Sequence, residues 1–267
     1  METNATSRLA LVREAAREGA TVAMGGFRGE FTVDSKERAL DSVTEFDREV
    51  QRRVATLLRE EDPDAVVVGE ESLPAIQTRT TVPDEGHAWI VDPIDGTNNF
   101  VNGNRNWGVA VSAVEDAEPV AAVNVFPALG DTYAAADGTV TRNGDPVTVS
   151  DRTDTAEFTI NPIFGVSPRH RRKLADYVDT IAREFGDHRR FGSAQLALSA
   201  VASGELDAAV SAVRLHPWDL VGGVHLVRQA GGTVTDAYGE RWTPTSKGLV
   251  ASNGAAHEGL VEAFDPE

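Results

Sequence analysis

The chain has 267 residues, 41% of them apolar, enough for a sizeable core in one large or two modest domains. It has no cysteine, which excludes disulfides, thiolate metal sites and cysteine nucleophiles. Its formal net charge of −17 opposes binding to nucleic acid or anionic membranes, and any phosphorylated substrate would need this field reversed locally.

Only Lys36, Lys173 and Lys247 are lysines, so 22 of the 25 cations are arginine. An acidic excess with scarce lysine predicts adaptation to a salt-rich cytoplasm, where screening softens self-repulsion. No apolar run approaches membrane-spanning length, and METNATSRLA lacks the basic and apolar regions of a secretory signal. The expected location is cytoplasmic.

In chain order, Leu9, Val12, Ala16 and Ala20 recur at helical spacing over residues 7–24, with Gly25-Gly26 as the stop. Residues 27–43 are polar and irregular. A second helix starts at Thr44, with Phe46, Val50, Val54, Leu57 and Leu58 on one face, and Pro63 ends it. Ala65–Gly69 is an apolar strand running into Glu70-Glu71. Trp89-Ile90-Val91 is a buried strand, expected to end at Asp92 because Pro93 cannot continue a central ladder. Further strands are predicted at 108–114, 120–125, 132–136 and 147–150, with Asn143-Gly144 as a hairpin turn between the last two. This first part, residues 1–152, reads as an antiparallel sheet against two helices.

From residue 153 to 267 strands and helices alternate. Phe158–Ile160 is a strand, and Ser167-Pro168 opens a helix to about residue 185. A helix follows over 193–202 and a strand over 208–213. Asp219 opens another helix that stops at Gly231-Gly232, and 233–235 and 249–251 are short strands.

The chemistry concentrates in Trp89-Ile-Val-Asp-Pro-Ile-Asp-Gly-Thr-Asn-Asn-Phe100. Asp92 and Asp95 flank a stiff proline at a strand end, an arrangement suited to a hard divalent cation that also takes a backbone carbonyl such as that of Ile94. A helix start at Gly96-Thr97 would offer N–H groups to an anion beside it. Thr44-x-x-Asp47 is a capping box, which by itself explains Asp47 without chemistry. The six histidines show no ligand spacing, and His216 reads as a loop residue.

The string WIVDPIDGTNNF closely resembles the signature of the inositol monophosphatase family of Mg²⁺-dependent, lithium-sensitive sugar phosphatases. Gly69-Glu70-Glu71-Ser72, Val43-Thr44-x-x-Asp47 and Trp218-Asp219 followed by a helix resemble further family motifs, so the likeness covers essentially the whole chain. It implies an α+β fold, layered as an αβαβα sandwich, and a homodimer. It also implies two or three Mg²⁺ held by Glu70, Asp92, Ile94, Asp95 and Asp219. A metal pair about 3.5–4 Å apart would share Asp92 and clamp the phosphate. Thr97, hydrogen-bonded to Asp47, would orient the attacking water, with Glu70 assisting catalysis. Gly96, Thr97, Asp95 and Asp219 would contact the substrate, a small phosphorylated sugar or polyol. Lys36 stands where the family has a lysine near the metals, and Glu71 is a weaker neighbour of the site.

Inositol-specific members often carry a glutamate seven residues before Asp219, and Ala212 occupies that position here. The departure leaves room for a second phosphate, with Arg189, Arg190 and Arg214 as candidate partners. Fructose 1,6-bisphosphate therefore stands beside inositol 1-phosphate as an expected substrate. Two alternatives are a bisphosphate nucleotidase of the same superfamily and a non-catalytic acidic scaffold. The nucleotidase branch tends to place a Lys-Glu pair where this chain has Asn98-Asn99.

Overall fold

In a computed structural model, which describes residues 5–35, 42–74 and 78–264, small residues set how the first helix packs. Helix α1 (Ala5–Gly26) buries Val12, Ala15, Ala16, Ala20 and Ala23, a narrow stripe that lets its axis lie close to a sheet. A short antiparallel pair, β1 (Val33–Ser35) and β2 (Ser42–Thr44), follows. Helix α2 (Glu45–Glu61) buries Val50, Val54, Ala55 and Leu58 beside α1. Lys36 lies outside the described residues.

A seven-stranded sheet comes next. It contains β3 (Val66–Gly69), β4 (His87–Asp95), β5 (Gly108–Glu115), β6 (Glu118–Phe126), β7 (Asp131–Ala136), β8 (Thr139–Arg142) and β9 (Asp145–Pro146), hydrogen-bonded in that order. All pairings are antiparallel except β3 with β4, so the sheet is mixed, not purely antiparallel as expected. The short helix α3 (Thr97–Val101) interrupts the run between β4 and β5.

The second sheet is built from β10 (Thr159–Pro162), β11 (Asp187–His188), β12 (Ala208–Ser211), β13 (Thr233–Thr235) and β14 (Leu249–Ser252), in the order β11-β10-β12-β14-β13. Helices α4 (Pro168–Glu184), α5 (Ala194–Ala202), α6 (Pro217–Gln229) and α7 (His257–Ala263) complete the chain.

Three apolar clusters separate the layers. Trp89, Val91, Val109 and Val123 meet α1 and α2 on one face of the large sheet. Val68, Ile90, Phe126 and Tyr133 meet α5 and α6 on the other, together with Ala209 and Ala251 of the second sheet. Phe158, Ile160, Val210 and Val250 meet α4 and α7 beyond it. The result is the expected αβαβα sandwich, with α5 and α6 between the sheets and apolar nearly all round, as a doubly covered helix must be. Among the described residues no helix is long and apolar enough to cross a membrane.

Three local expectations need correction. Strand β4 does not end at Asp92 but runs through Pro93 to Asp95. Its ladder with β5 shifts register between Asp92 and Asp95, and β3 pairs only as far as Val91, so Pro93 sits in a bulge where its missing N–H costs nothing. The Asn143-Gly144 turn is real but joins β8 to β9. A second positive-φ turn, Asp137-Gly138, joins β7 to β8. Residues 147–150 are not a strand, since Val149 donates to the Ala230 carbonyl at the end of α6 and Ser150 to Asp207.

Candidate active site

The bulge in β4 decides where the two aspartates point. Along the regular part of the strand, Ala88 and Ile90 face α5 and α6 while Trp89 and Val91 face α1 and α2. Strict alternation would send Asp92 and Asp95 to opposite faces. The register shift resets the phase by one residue, so Ile94 joins the α1–α2 side and Asp95 turns to α5.

Asp95 is held at the N-terminus of α5. Ala194 N–H donates to its Oδ1 at 3.0 Å, Gln195 N–H to its Oδ2 at 2.9 Å, and the Ser193 hydroxyl also donates to Oδ2. Burial pushes its pKa up to about 6, and these donors restrain the rise. Asp92 is 2% exposed, and its Oδ1 accepts no hydrogen bond among the described residues. Its pKa is driven well above the carboxylate range, first by burial and then by repulsion from Glu70, Asp95, Asp219 and Asp47.

Gly96 makes the turn out of β4 at φ 86°. A Cβ there would lie 2.9 Å from the Asn106 carbonyl and 3.2 Å from that of Gly192, so only glycine lets the chain pass. Behind it, α3 is anchored by fully buried Phe100, edge-on to Trp107 at 4.9 Å. Asn99 ties α3 to the loop before α5 by donating to the Asn106 and Phe191 carbonyls at 2.7 and 2.8 Å. Thr97 Oγ1 lies 3.1 Å from Asp47 Oδ1 and 3.0 Å from the Ile94 carbonyl.

Asp47 makes both of the contacts expected of it. Its Oδ2 accepts from the Thr44 N–H and hydroxyl, both at 2.6 Å, closing the capping box, while its Oδ1 faces Thr97. Its pKa is raised by burial against the lowering effect of those donors. Glu71 is buried beside it, its peptide clamped by Gln51, and adds a smaller repulsion.

Above these groups opens a cavity of about 760 Å³, lined by Glu70, Gly96, Thr97, Asn98, Asn161, His170, Arg190, Arg214, His216 and Asp219 among others. Asp219 is the third residue of α6, not its opening residue. His216 precedes the helix and donates its N–H to Asp219 Oδ2 at 2.8 Å, with its ring stacked on Trp218. Arg190 and Arg214 line the cavity, donating to the carbonyls of Phe164 (3.4 Å) and Thr245 (2.6 Å). Arg189 does not line it and pairs with Asp187 outside. Ala212 is buried in one cluster with Phe158, Ile160 and Phe164 and does not itself line the cavity.

Sequence reasoning missed four contributors: Ser193 and Gln195, which grip Asp95, and His170 and His216, which line the cavity. In the sequence Ser193 stands only at the start of a predicted helix, and the structure makes it the cap of α5. Its partner stands 98 residues earlier, and no local spacing encodes that contact.

Glu70, Asp92, Asp95 and Asp219 are hard oxygen donors, and the orphaned buried oxygen of Asp92 is what a divalent cation would satisfy. They do not already converge as a finished ligand cluster, since no such group of three or more occurs among the described residues. Mg²⁺ needs few protein carboxylates because it keeps several waters, so this looser set fits it.

The inositol monophosphatase family model matches residues 4–267. A Thermotoga maritima protein named fructose-1,6-bisphosphatase/inositol-1-monophosphatase is 32% identical over 234 residues, covering 87% of this chain and 86% of that one. The Nus factor SuhB of Xylella fastidiosa is 32% identical over 247 residues, covering 85% and 86% respectively. Among solved structures, a Thermotoga maritima IMPase matches with a TM-score of 0.86 at 31% identity over 96% of both chains.

Proposed function

The chain belongs to the inositol monophosphatase family and is a phosphoric monoester hydrolase, and from that premise we propose that it is a Mg²⁺-dependent phosphatase of small sugar or polyol phosphates. The observation that carries the reading is Asp92, a buried carboxylate whose Oδ1 has no hydrogen-bond partner among the described residues and which is repelled by Glu70, Asp95 and Asp219 beneath the cavity. Burying an anion beside three others is costly, and a bound cation adds an attraction to each of them that outweighs their mutual repulsion.

In this reading Glu70, Asp92, Asp95, Asp219 and the Ile94 carbonyl hold the ions. When bound, Mg²⁺ supplies charge neutralisation at the phosphoryl group and acidifies water. Thr97 donates its hydroxyl hydrogen bond to Asp47 and keeps oxygen lone pairs to accept from the attacking water, which it thereby orients for in-line attack. The first turn of α3, at Gly96 and Thr97, presents N–H groups to the phosphate. Arg190 and Arg214, on the cavity wall, are the residues we assign to a second anionic group, so a bisphosphate is accommodated. The name of the Thermotoga relative supports the same pair of substrates.

The test is phosphate release from inositol 1-phosphate, fructose 1,6-bisphosphate and 3′-phosphoadenosine 5′-phosphate, with Mg²⁺ and with EDTA. The sugar phosphates are expected to be hydrolysed only with Mg²⁺. Release from the nucleotide alone, or undiminished release in EDTA, defeats the proposal.

A further inference from the structure

A chain of buried amides crosses the middle of the sandwich. Asn124 on β6 is fully buried, and its Nδ2 donates to Gln195 Oε1 at 2.9 Å and Ser199 Oγ at 3.1 Å. Gln195, 1% exposed near the start of α5, carries the chain onward by donating Nε2–H to the Trp218 carbonyl in α6 at 2.7 Å. The main-chain N–H of the same residue donates to Asp95 Oδ2. Trp218 is the residue immediately before Asp219.

One residue therefore grips Asp95 through its backbone and, through its side chain, the peptide that carries Asp219. The approach of α6 depends on Gly222, where a Cβ would come within 2.8 Å of Ser112 Oγ, 3.0 Å of Asn124 Oδ1 and 3.2 Å of Gln195 Oε1. The surroundings are otherwise apolar: Leu198, Val221 and Val224 pack within the same layer. A hydrocarbon side chain would fill this space without the desolvation cost of an amide. What the amide adds is a fixed register between the two helix starts.

We propose that Gln195 is a positioning residue that fixes the relative placement of Asp95 and Asp219, and through it the affinity of the site for divalent cations. The inference rests on the assignment of those two aspartates as metal ligands made under the proposed function. Groups that orient metal ligands from outside typically change metal affinity about 10–100-fold when removed.

The experiment measures Mn²⁺ affinity of the full-length protein by electron paramagnetic resonance, and melting temperature in EDTA, for wild type, Gln195→Met and Ser199→Ala. Methionine keeps length and volume but can bond neither Asn124 nor Trp218. The serine variant removes another bond of Asn124 without touching either helix start. Gln195→Met is expected to raise the Mn²⁺ dissociation constant about tenfold or more. Ser199→Ala is expected to lower the melting temperature while leaving the dissociation constant within about twofold, because neither ligand-bearing segment loses a bond. Should the methionine variant fail to fold, Gln195→Ala, which leaves a void instead of displaced atoms, takes its place. An unchanged Mn²⁺ constant in a folded Gln195 variant, or an equal loss in Ser199→Ala, overturns the inference while leaving the functional reading intact. Wild-type protein that binds no Mn²⁺ overturns the ligand assignment itself.

Discussion

Asp92 and Asp95 are carboxylates buried at a cost in stability. Both have folded pKa values above that of a free aspartate, Asp95 at about 6, with burial as the leading cause. Such a group contributes stability that is fully present below the unfolded pKa and is lost as pH rises through the folded value. Metal-free protein should therefore lose part of its stability between about pH 4 and 7, and Asp92→Asn should remove much of that slope. Denaturant midpoints in EDTA across this range are expected to show the Asp92→Asn variant more stable than wild type toward the neutral end. The same variant should lose the melting-temperature gain given by Mg²⁺ and at least about 100-fold in kcat, as expected when a catalytic metal's ligand is removed. Wild-type kcat in the folded Asp92→Asn variant would refute the metal assignment. The arginines make a second residue-scale case. Losing one charge-assisted pair costs about 1.5–3 kcal/mol, so Arg190→Ala or Arg214→Ala should raise KM for fructose 1,6-bisphosphate about tenfold or more and leave inositol 1-phosphate nearly untouched. Equal effects on both substrates would mean that these arginines hold the shared phosphate or none.

Among the elements, α2 links its own stability to the site through a single cap. Thr44→Ala removes the side-chain cap and one of the donors to Asp47 Oδ2, which should cost about 1 kcal/mol of stability. It should also loosen Asp47 against Thr97, lowering kcat more than it raises KM, while Thr44→Ser restores both. Steady-state kinetics with paired melting curves test this, and a stability loss with unchanged kcat would reduce Asp47 to a helix cap. Both contacts of Asp47 were legible because the Thr44-x-x-Asp47 spacing is local and the DPIDGT resemblance supplied the partner. Pro93 shows the limit of that kind of reading. A proline rule predicts a strand end, yet whether a strand ends or bulges depends on the neighbours β3 and β5, which only the tertiary structure supplies. The missed hairpin at Asp137-Gly138 is different. Its signal was present in the dipeptide, and the more familiar Asn143-Gly144 drew the boundary too late in the chain. Gln195 was hidden for a third reason: inside an apolar helix, a glutamine's partners on β6 and α6 leave no trace in its own segment.

Across the whole molecule, two charge effects bear on stability. His225 is buried in α6, and burial followed by the nearby Arg228 lowers its pKa to about 4. An unfolded histidine titrates near 6.5, so the neutral ring's contribution is fully present above that pH and is lost as pH falls through about 4. At about 1.4 kcal/mol per unit, this amounts to about 3 kcal/mol of acid sensitivity, and His225→Leu should flatten the stability curve between about pH 6.5 and 4. An unchanged acid limb in the variant would place that sensitivity elsewhere. The net charge of −17 acts over longer range. Screening of like-charge repulsion predicts a melting temperature that rises from low to molar KCl, and a flat or falling profile would remove the salt-adaptation reading. The central helix layer has one more outcome. Because α5 and α6 press on the large sheet with one side and on the second sheet with the other, the two halves of the polypeptide share the central apolar cluster, although each also holds one of its own. Val68, Ile90, Phe126 and Tyr133, all contributed before residue 147, are covered from residues beyond 190. A protease nick within residues 151–154 should therefore leave the nicked protein associated and cooperative in melting. Fragments 1–152 and 153–267 made separately should expose that apolar seam and aggregate, and mixing them during refolding should reassemble a particle with phosphatase activity.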